Sequence, residues 1–486
     1  MGSKQRNKPQ PELLTPQDFQ HLLSAEDFSA MMAELQKPLK TAFRVNPMKV
    51  DPVAAPAAWA ARYGWQLSPV SYCPTGWWVE ALAPVSQTIE HRLGQYYIQD
   101  AASMLPVEFF DWQGLEQPLV LDMAASPGGK TTHLSAMMRD RGLLLANDSS
   151  QDRLTALRLV LQNWGAVSAA VSNFPGERFG DWFPDTFDRV LLDAPCSMQG
   201  LRTSDSHPMR PISARERGQL SGRQARLLAS ALRAVRPGGQ VVYSTCTLTT
   251  EEDEGVLQAV LDQFGSAISI ANVSPRLPHP APALASNGEQ IFDPAIGGAA
   301  RLWPHRFGTS GFFAALLLKN DSLPGKNLAP PSRPIQRAGL SRLSVVEVRR
   351  LGDLLRDQFE FDLQGVLQEY RLELWRLGKN ILALPEMLLI RLADFPVQSA
   401  GLALGEESTE GFIVGHDWLA RFEPYFHSGR LTLDETQTIA WMRGEDLHGL
   451  AGEGPRIVVD GSGRLIGRGR LTSGRLKNLL PRRWMQ

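Results

Sequence analysis

Residues 119–132 read Leu-Val-Leu-Asp-Met-Ala-Ala-Ser-Pro-Gly-Gly-Lys-Thr-Thr. A short apolar run ends on an acid, a glycine turn follows, and a helical stretch runs from Lys130 to Met138. Strand, glycine turn and helix together make a ligand-binding arrangement. Glycine lets the backbone approach a ligand, and the start of a helix offers free N–H groups. Gly129-Lys130-Thr131 invites a nucleotide phosphate loop, but that loop needs a glycine five positions before Gly129, where Ala124 stands. The turn fits S-adenosylmethionine better. The next strand ends in Leu145-Ala146-Asn147-Asp148, and an acid there suits the hydroxyls of a cofactor ribose. Asp148 follows Asp122 by 26 residues, the length of a βαβ unit. Glycine spacing alone leaves a nicotinamide dinucleotide open as a second ligand, and a tight turn with no ligand as the plain structural alternative.

Outward from this turn the pattern repeats. Apolar runs at 142–146, 187–192, 240–244 and 311–318 alternate with helical stretches at 151–164 and 223–235, the latter stopped by Pro237-Gly238-Gly239. Such alternation predicts a parallel sheet covered by helices on both faces, over about 96–320. Residues 10–95, with Trp65, Trp77 and Trp78 among strand-like pieces, read as a small mixed α/β unit. The stretch 321–338 holds Pro324, Gly325, Pro330, Pro331 and Pro334 and reads as a linker to a last unit at 339–486. Within 456–486 stand eight basic residues against one acid, Asp460, interleaved with glycine and leucine. That composition points to a folded basic surface for nucleic acid, or else to a solvated tail.

The chain has 486 residues, enough for roughly two to four domains. At 43% hydrophobic and 21% charged it is an ordinary globular composition, which excludes a mostly disordered chain. Its 50 Lys and Arg against 51 Asp and Glu require any nucleic-acid partner to meet a local patch. The three cysteines cannot build a disulfide scaffold or a four-cysteine zinc site, and no metal is expected. There is no apolar signal core at the start and no apolar run of membrane-spanning length, so a soluble cytoplasmic protein without a membrane partner is expected. Nothing demands more than a monomer.

Two of the cysteines follow strand ends. Cys196 lies in Asp193-Ala-Pro-Cys-Ser after the strand ending at Leu192, and Cys246 lies in Tyr243-Ser-Thr-Cys-Thr-Leu after the strand 240–243. In an open α/β sheet, ligands bind outside the carboxyl ends of strands, so both thiols can face one crevice with Asp122, Asp148 and Asp193. Inert core cysteines are the alternative, and Cys73, outside this pattern, is expected to be structural. Two thiols and an acid beside a methyl donor suit a pyrimidine. Carbon C5 is a poor nucleophile until a thiolate adds at C6, which splits one hard step into two easier ones. Asp193 could meet the N3/N4 edge of a cytosine, and the second thiol could assist release.

Residues 122–132, 193–197 and 243–248 resemble the Nol/Nop/Sun family of RNA cytosine-C5 methyltransferases. The resemblance covers about 40–320 and includes Arg44-Val45-Asn46, the segment 94–103, Arg301-Leu-Trp-Pro-His and Gly308-Thr-Ser-Gly-Phe-Phe. It implies a doubly wound, Rossmann-like α/β methyltransferase sheet with S-adenosyl-L-methionine as cofactor. It further implies Cys246 as the nucleophile, Cys196 as the residue aiding release, Lys130 as a further catalytic residue, and Ala124, Ala125, Ser126, Pro127, Gly128, Gly129, Lys130, Asp148 and Asp193 as the lining of the cofactor and base pocket. Residues 463–481 resemble the C-terminal region of a bacterial subgroup that methylates a cytosine near the decoding site of 16S ribosomal RNA. That implies a C-terminal PUA-like, β-rich RNA-binding domain beside an N-terminal α/β RNA-binding subdomain, 1–95, and ribosomal RNA or the small ribosomal subunit as partner. Two positions depart from the family pattern. Pro175 stands where an acid is expected, with Asn173 or Asp181 as nearby candidates to replace it, and Met198-Gln199-Gly200 replaces a glycine-containing triplet. A transfer RNA methyltransferase and a non-catalytic ribosome-assembly factor are the competing readings. Residues 204–217, polar and arginine-bearing, could form a loop over RNA or a plain surface loop.

Overall fold

A computed structural model describes residues 14–202, 211–409 and 411–484. The first ten residues and residues 204–210 of the polar 204–217 stretch therefore lie outside the described residues. The N-terminal unit opens with helix α1 (Ala25–Leu35), capped by the Ser24 side chain. Strand β1 (Thr41–Val45) is followed by helix α2 (Ala54–Tyr63), then β2 (Gln66–Pro69), β3 (Gly76–Glu80) and β4 (Tyr96–Ile98). They form an antiparallel sheet in the order β2-β3-β1-β4. Phe43, Trp59, Trp65 and Tyr96 fill its core with tilted ring contacts of 4.9–6.2 Å. Because β4 pairs with β1, the sheet runs past residue 95, the boundary expected from composition. Only three residues long, β4 has no periodicity of its own to announce it.

The catalytic-type sheet contains β5 (Leu119–Asp122), β6 (Leu143–Asn147), β7 (Ala169–Ser172), β8 (Phe187–Asp193) and β9 (Val235–Thr245), joined by β10 (Ile268–Ala271), β11 (Ala300–Leu302) and β12 (Phe312–Lys319). Its order is β10-β12-β9-β8-β5-β6-β7, with β11 on β12. The pairs among β5 to β9 are parallel and β12 runs antiparallel to β9. The strands read as continuous apolar runs because both faces are buried under helices. Helix α3 (Gly129–Met137) follows β5, and α4 (Leu154–Trp164) turns Leu154, Leu157, Leu161 and Trp164 inward at helical spacing. Helix α5 (Ala214–Ala234) begins nine residues before the expected start. Its first turns carry Arg215, Glu216, Arg217, Gly218 and Gly222, which hide the apolar period, while Ser213 caps it by accepting from Glu216 N–H. The Pro-Gly-Gly turn lies inside β9, where the pairing with β8 shifts register, so strand follows helix without a loop. Helix α6 (Glu254–Phe264) follows β9. Order reverses at β5, which has β6 on one side and β8 on the other. The crevice of a doubly wound sheet opens at such a switch point.

Residues 339–484 form two five-stranded sheets. The segment 321–338 is no free tether: Leu323 packs on the catalytic core, and Leu328 N–H donates to Asp181 O at 2.8 Å. Further on, Ser399–Ala400 adds a short antiparallel strand to the outer edge of β7. Phe395 inserts among Phe174, Phe179, Trp182 and Phe183, with ring centroids 5.0–6.3 Å apart. Among the described residues no helix is long and apolar enough to cross a membrane.

Phe395→Ala should cost about 3–5 kcal/mol, as expected for a large aromatic removed from a packed site. Calorimetry should show a lowered Tm, and limited proteolysis should cut first between 321 and 400. An unchanged Tm and cleavage pattern would contradict this docking role.

Candidate active site

The strand ends at the switch point carry the chemistry. Asp122 closes β5, Asp193 closes β8, and Cys246 follows β9 by one residue. In the parallel register Asp193 lies beside Ser244, and Ser244 Oγ donates to Asp193 Oδ1 at 2.7 Å. Lys130, in the first turn of α3, reaches Asp193 Oδ2 at 2.7 Å and lies 5.4 Å from the Phe312 ring centre. Burial alone would strip the Lys130 proton, but Asp193, Cys246 and Asp122 outweigh it and hold the ammonium above its ordinary pKa. The Sγ atoms of Cys196 and Cys246 are 3.2 Å apart. The Cys196 thiol is pushed well above its usual value by its hydrogen bond with Cys246 and by burial, against a lowering contact from Met198 N–H. That direction favours the protonated thiol beside Cys246. Met198 and Leu201 hold left-handed φ of 59° and 65°, so the loop after Cys196 stays tight without glycine at 198.

The glycine turn is shaped by neighbours from another unit. Gly128 has φ of 115°, and a Cβ there would meet Val160 Cγ1 at 2.9 Å; one on Gly129 would meet Tyr97 Cε1 at 2.8 Å. Arg44, fully buried, donates to Gly129 O at 3.0 Å and Thr132 Oγ1 at 2.7 Å and lies over the Trp164 ring at 4.6 Å. The N-terminal sheet thus braces the turn. Asp148 is buried, with Oδ2 accepting from Ser126 N–H at 3.1 Å and Oδ1 from Ser150 N–H at 2.9 Å. Each oxygen keeps lone-pair capacity for a hydroxyl. Asp122 is buried and accepts from Thr131 Oγ1 at 2.7 Å, while its Oδ1 has no partner. An orphaned acceptor at the crevice suits the ammonium end of S-adenosylmethionine, so the residues present fit that cofactor. Near Pro175, Asn173 Nδ2 donates to Asp148 O at 2.7 Å, whereas Asp181 turns to the linker, accepting from Lys326 N–H at 3.3 Å. Of the two candidates to replace the missing acid, only Asn173 therefore touches the cofactor side.

The structure brings Lys130, Asp193, Cys196 and Cys246 together and sets the 124–130 turn and Asp148 at the neighbouring strand ends. Cys73 lies in the core, where Glu108 accepts from His133 Nε2 at 3.0 Å and takes a hydrogen bond from the Cys73 thiol. Burial there pushes Cys73 up to about 12 and His133 down to about 4. The basic C-terminal segment is less free than its local composition suggests. Arg464 pairs with Asp460 at 2.7 Å and Glu90 at 3.4 Å, Arg475 with Asp446 at 2.9 Å and Arg483 with Asp417 at 2.7 Å. Three of these acids lie outside 456–486, so a count within that window misses them. Lys477 and Arg482 stay exposed. Glu252, Asp253 and Arg301, all fully buried behind the cysteines, went unassigned in the sequence. Four consecutive acids at 251–254 at a helix start were the signal available for them.

Comparison with known proteins agrees with this geometry. Residues 113–318 match the family described as 16S rRNA methyltransferase RsmB/F, and residues 16–101 match the N-terminal domain of 16S rRNA methyltransferase RsmF. A relative from Aeromonas hydrophila, "Ribosomal RNA small subunit methyltransferase F", is 34% identical over 95% of this chain and 93% of its own length. A protein of the same name from Vibrio cholerae is 31% identical over 93% and 92%. Among solved structures, a methyltransferase homolog protein from Pyrococcus horikoshii is 32% identical and has a TM-score of 0.53, covering 62% of this chain and 93% of that one. NSun6 from the same organism, solved with SFG, is 19% identical with a TM-score of 0.53 over 63% and 97%, a likeness of fold.

Burial and the neighbouring Asp193 raise Asp122 to about 7, the Thr131 hydroxyl acting the other way. The raised value means that this group favours the folded state fully below its unfolded pKa near 3.8 and loses that contribution as pH rises through 7. Asp122→Asn should therefore gain stability relative to the parent between pH 4 and 8, by a few kcal/mol at most. Calorimetry across that range checks it; a pH-independent difference in Tm would contradict it.

Proposed function

The chain belongs to the 16S rRNA methyltransferase RsmB/F family, and on that premise we propose that it methylates carbon C5 of a cytosine in small-subunit (16S) ribosomal RNA near the decoding site, using S-adenosylmethionine, in the cytoplasm. The observation that carries this reading is the 3.2 Å contact between two thiols at adjacent strand ends, beside a part-buried lysine–aspartate pair. Cys246 is the nucleophile. The Lys130 ammonium and the Cys196 S–H both favour its thiolate. Its sulfur adds to C6, an S–C6 bond forms, and the ring electrons move toward C5 and N3, where Asp193 meets the N3/N4 edge. When bound, S-adenosylmethionine supplies the electrophilic methyl group that C5 takes up. The backbone of 124–129 and Asp148 would hold that cofactor, and the partnerless oxygen of Asp122 would offer an acceptor to its positive end. The C5 proton then passes to solvent water, the C5–H electron pair restores the C5–C6 double bond, and the S–C6 bond breaks. Cys246 departs as thiolate and takes a hydrogen bond from Cys196.

The 96–320 unit performs the transfer, while 1–95 and 339–486, with its PUA-like part, hold the RNA. Lys477, Arg482 and other basic side chains of the last segment would meet phosphates, so binding should weaken as salt rises. The target base must leave its stack to reach the thiols, as base-modifying enzymes require.

Cys246→Ala should lose methyl transfer by about a thousandfold or more and form no covalent complex with RNA. Cys196→Ala should accumulate a protein–RNA adduct that survives denaturing electrophoresis, because the methylated base is not released. An active Cys246→Ala protein would contradict the assigned nucleophile. Absence of turnover together with absence of cofactor binding by calorimetry would leave a non-catalytic RNA-binding factor.

A further inference from the structure

Cys196 is bracketed by two backbone groups, and both are tied to one side chain on the opposite loop. On its N-terminal side, Pro195 O accepts from Gln224 Nε2 at 2.9 Å. On its C-terminal side, Ser197 N–H donates to Glu252 Oε2 at 2.9 Å. Gln224 Nε2 donates to that same oxygen at 2.9 Å, and Thr249 Oγ1 donates to Oε1 at 2.8 Å. Glu252 stands six residues after Cys246 on the loop that follows β9. One carboxylate therefore spans the loop carrying Cys196 and the loop carrying Cys246. Ser197, Gln224 and Glu252 are all fully buried, so water does not compete for these bonds. A second brace joins Ser197 Oγ to Thr247 Oγ1 at 3.1 Å, next to Cys246.

The adjacent acid does the matching work on the other strand. Thr245, just before Cys246, donates to Asp253 Oδ1 at 2.6 Å. Arg301 donates to Asp253 Oδ2 at 3.0 Å, Glu254 Oε1 at 2.9 Å and Leu248 O at 2.9 Å, which compensates part of the buried negative charge. Two neighbouring acids thus fix the residues that flank the two cysteines.

We propose that Glu252 is the positioning residue that holds Cys196 against Cys246, and so governs release of the methylated base rather than formation of the adduct. The inference rests on the reading of Cys246 as nucleophile and Cys196 as the group aiding release. Adduct formation needs Cys246 at the end of β9 with Lys130 nearby; the Glu252 carboxylate meets that loop only at Thr249, three residues past Cys246, whereas it bonds directly to the residue beside Cys196. Release needs Cys196 within hydrogen-bond reach of the departing sulfur, and misplacement of a reacting group by about 1 Å costs on the order of a hundredfold.

Glu252→Met keeps side-chain length but removes the acceptors, leaving Ser197 N–H and Gln224 Nε2 without their partner. Glu252→Gln can turn its amide oxygen to those donors and its NH2 to the Thr249 hydroxyl, and so acts as the conservative rescue. Adduct formation and product release are measured separately by quench-flow on an RNA containing the target cytosine. Glu252→Met should slow release about tenfold or more while slowing adduct formation by less than about threefold, so that adduct accumulates, and Glu252→Gln should restore most of the release rate. Should Glu252→Met fail to fold, Gln224→Met, which frees only the Pro195 side, should show the same imbalance with smaller amplitude. Equal slowing of both steps, or wild-type release in every folded variant, would overturn the proposal. Cys196→Ala serves as the reference. If it fails to trap an adduct, the underlying reading falls; if it traps adduct and the Glu252 variants do not, only the positioning role falls.

Discussion

Two sulfur atoms held 3.2 Å apart by neighbouring parallel strands set the demands that the rest of the chain meets. A nucleophilic sulfur and a second thiol at that distance need a cation beside them and two loops that cannot drift. Lys130 supplies the cation, and Asp193 keeps it both charged and aimed. The buried acids behind the cysteines fix the loops. Each element is ordinary alone; their convergence follows from strand order, since β8 and β9 are adjacent and end at the same edge.

The flanking units contribute to the same centre by different physics. Arg44 carries a buried charge from the N-terminal sheet into the back of the glycine turn, where it finds a carbonyl, a hydroxyl and an aromatic face. A buried guanidinium is tolerated only with such partners, so the turn and the sheet are ordered together. The C-terminal unit is joined to the edge of β7 by a two-residue strand and by Phe395 in an aromatic nest. Arg464 extends the joint to Glu90 and Tyr63 of the N-terminal unit. Some of the basic charge that looked available for RNA is thus spent on holding the units together.

The glycine turn, the strand ends and the paired cysteines were legible because each depends on local chemistry: an acid after an apolar run, glycine where a Cβ would collide, a thiol one or a few residues past a strand. The parallel sheet with helices on both faces followed from alternation, and its Rossmann-like character from the family resemblance. What stayed hidden depends on partners distant in sequence. Glu252 meets Ser197 across 55 residues, and Arg44 meets Gly129 across 85. The early start of α5 was masked by its charged and glycine-bearing first turns, and β4 was too short to show a period. Pro175 looked like a missing cofactor ligand, yet Asn173 two residues earlier already reaches the backbone of Asp148.

The most direct measurement is a map of 5-methylcytosine by nucleotide after the protein is incubated with labelled S-adenosylmethionine and, separately, small-subunit ribosomal RNA, assembled small subunits and transfer RNA. One labelled cytosine near the decoding site of the ribosomal substrate is the expected result. Label in transfer RNA alone would contradict the substrate, and no label in any RNA, with no cofactor bound, would contradict the reaction itself.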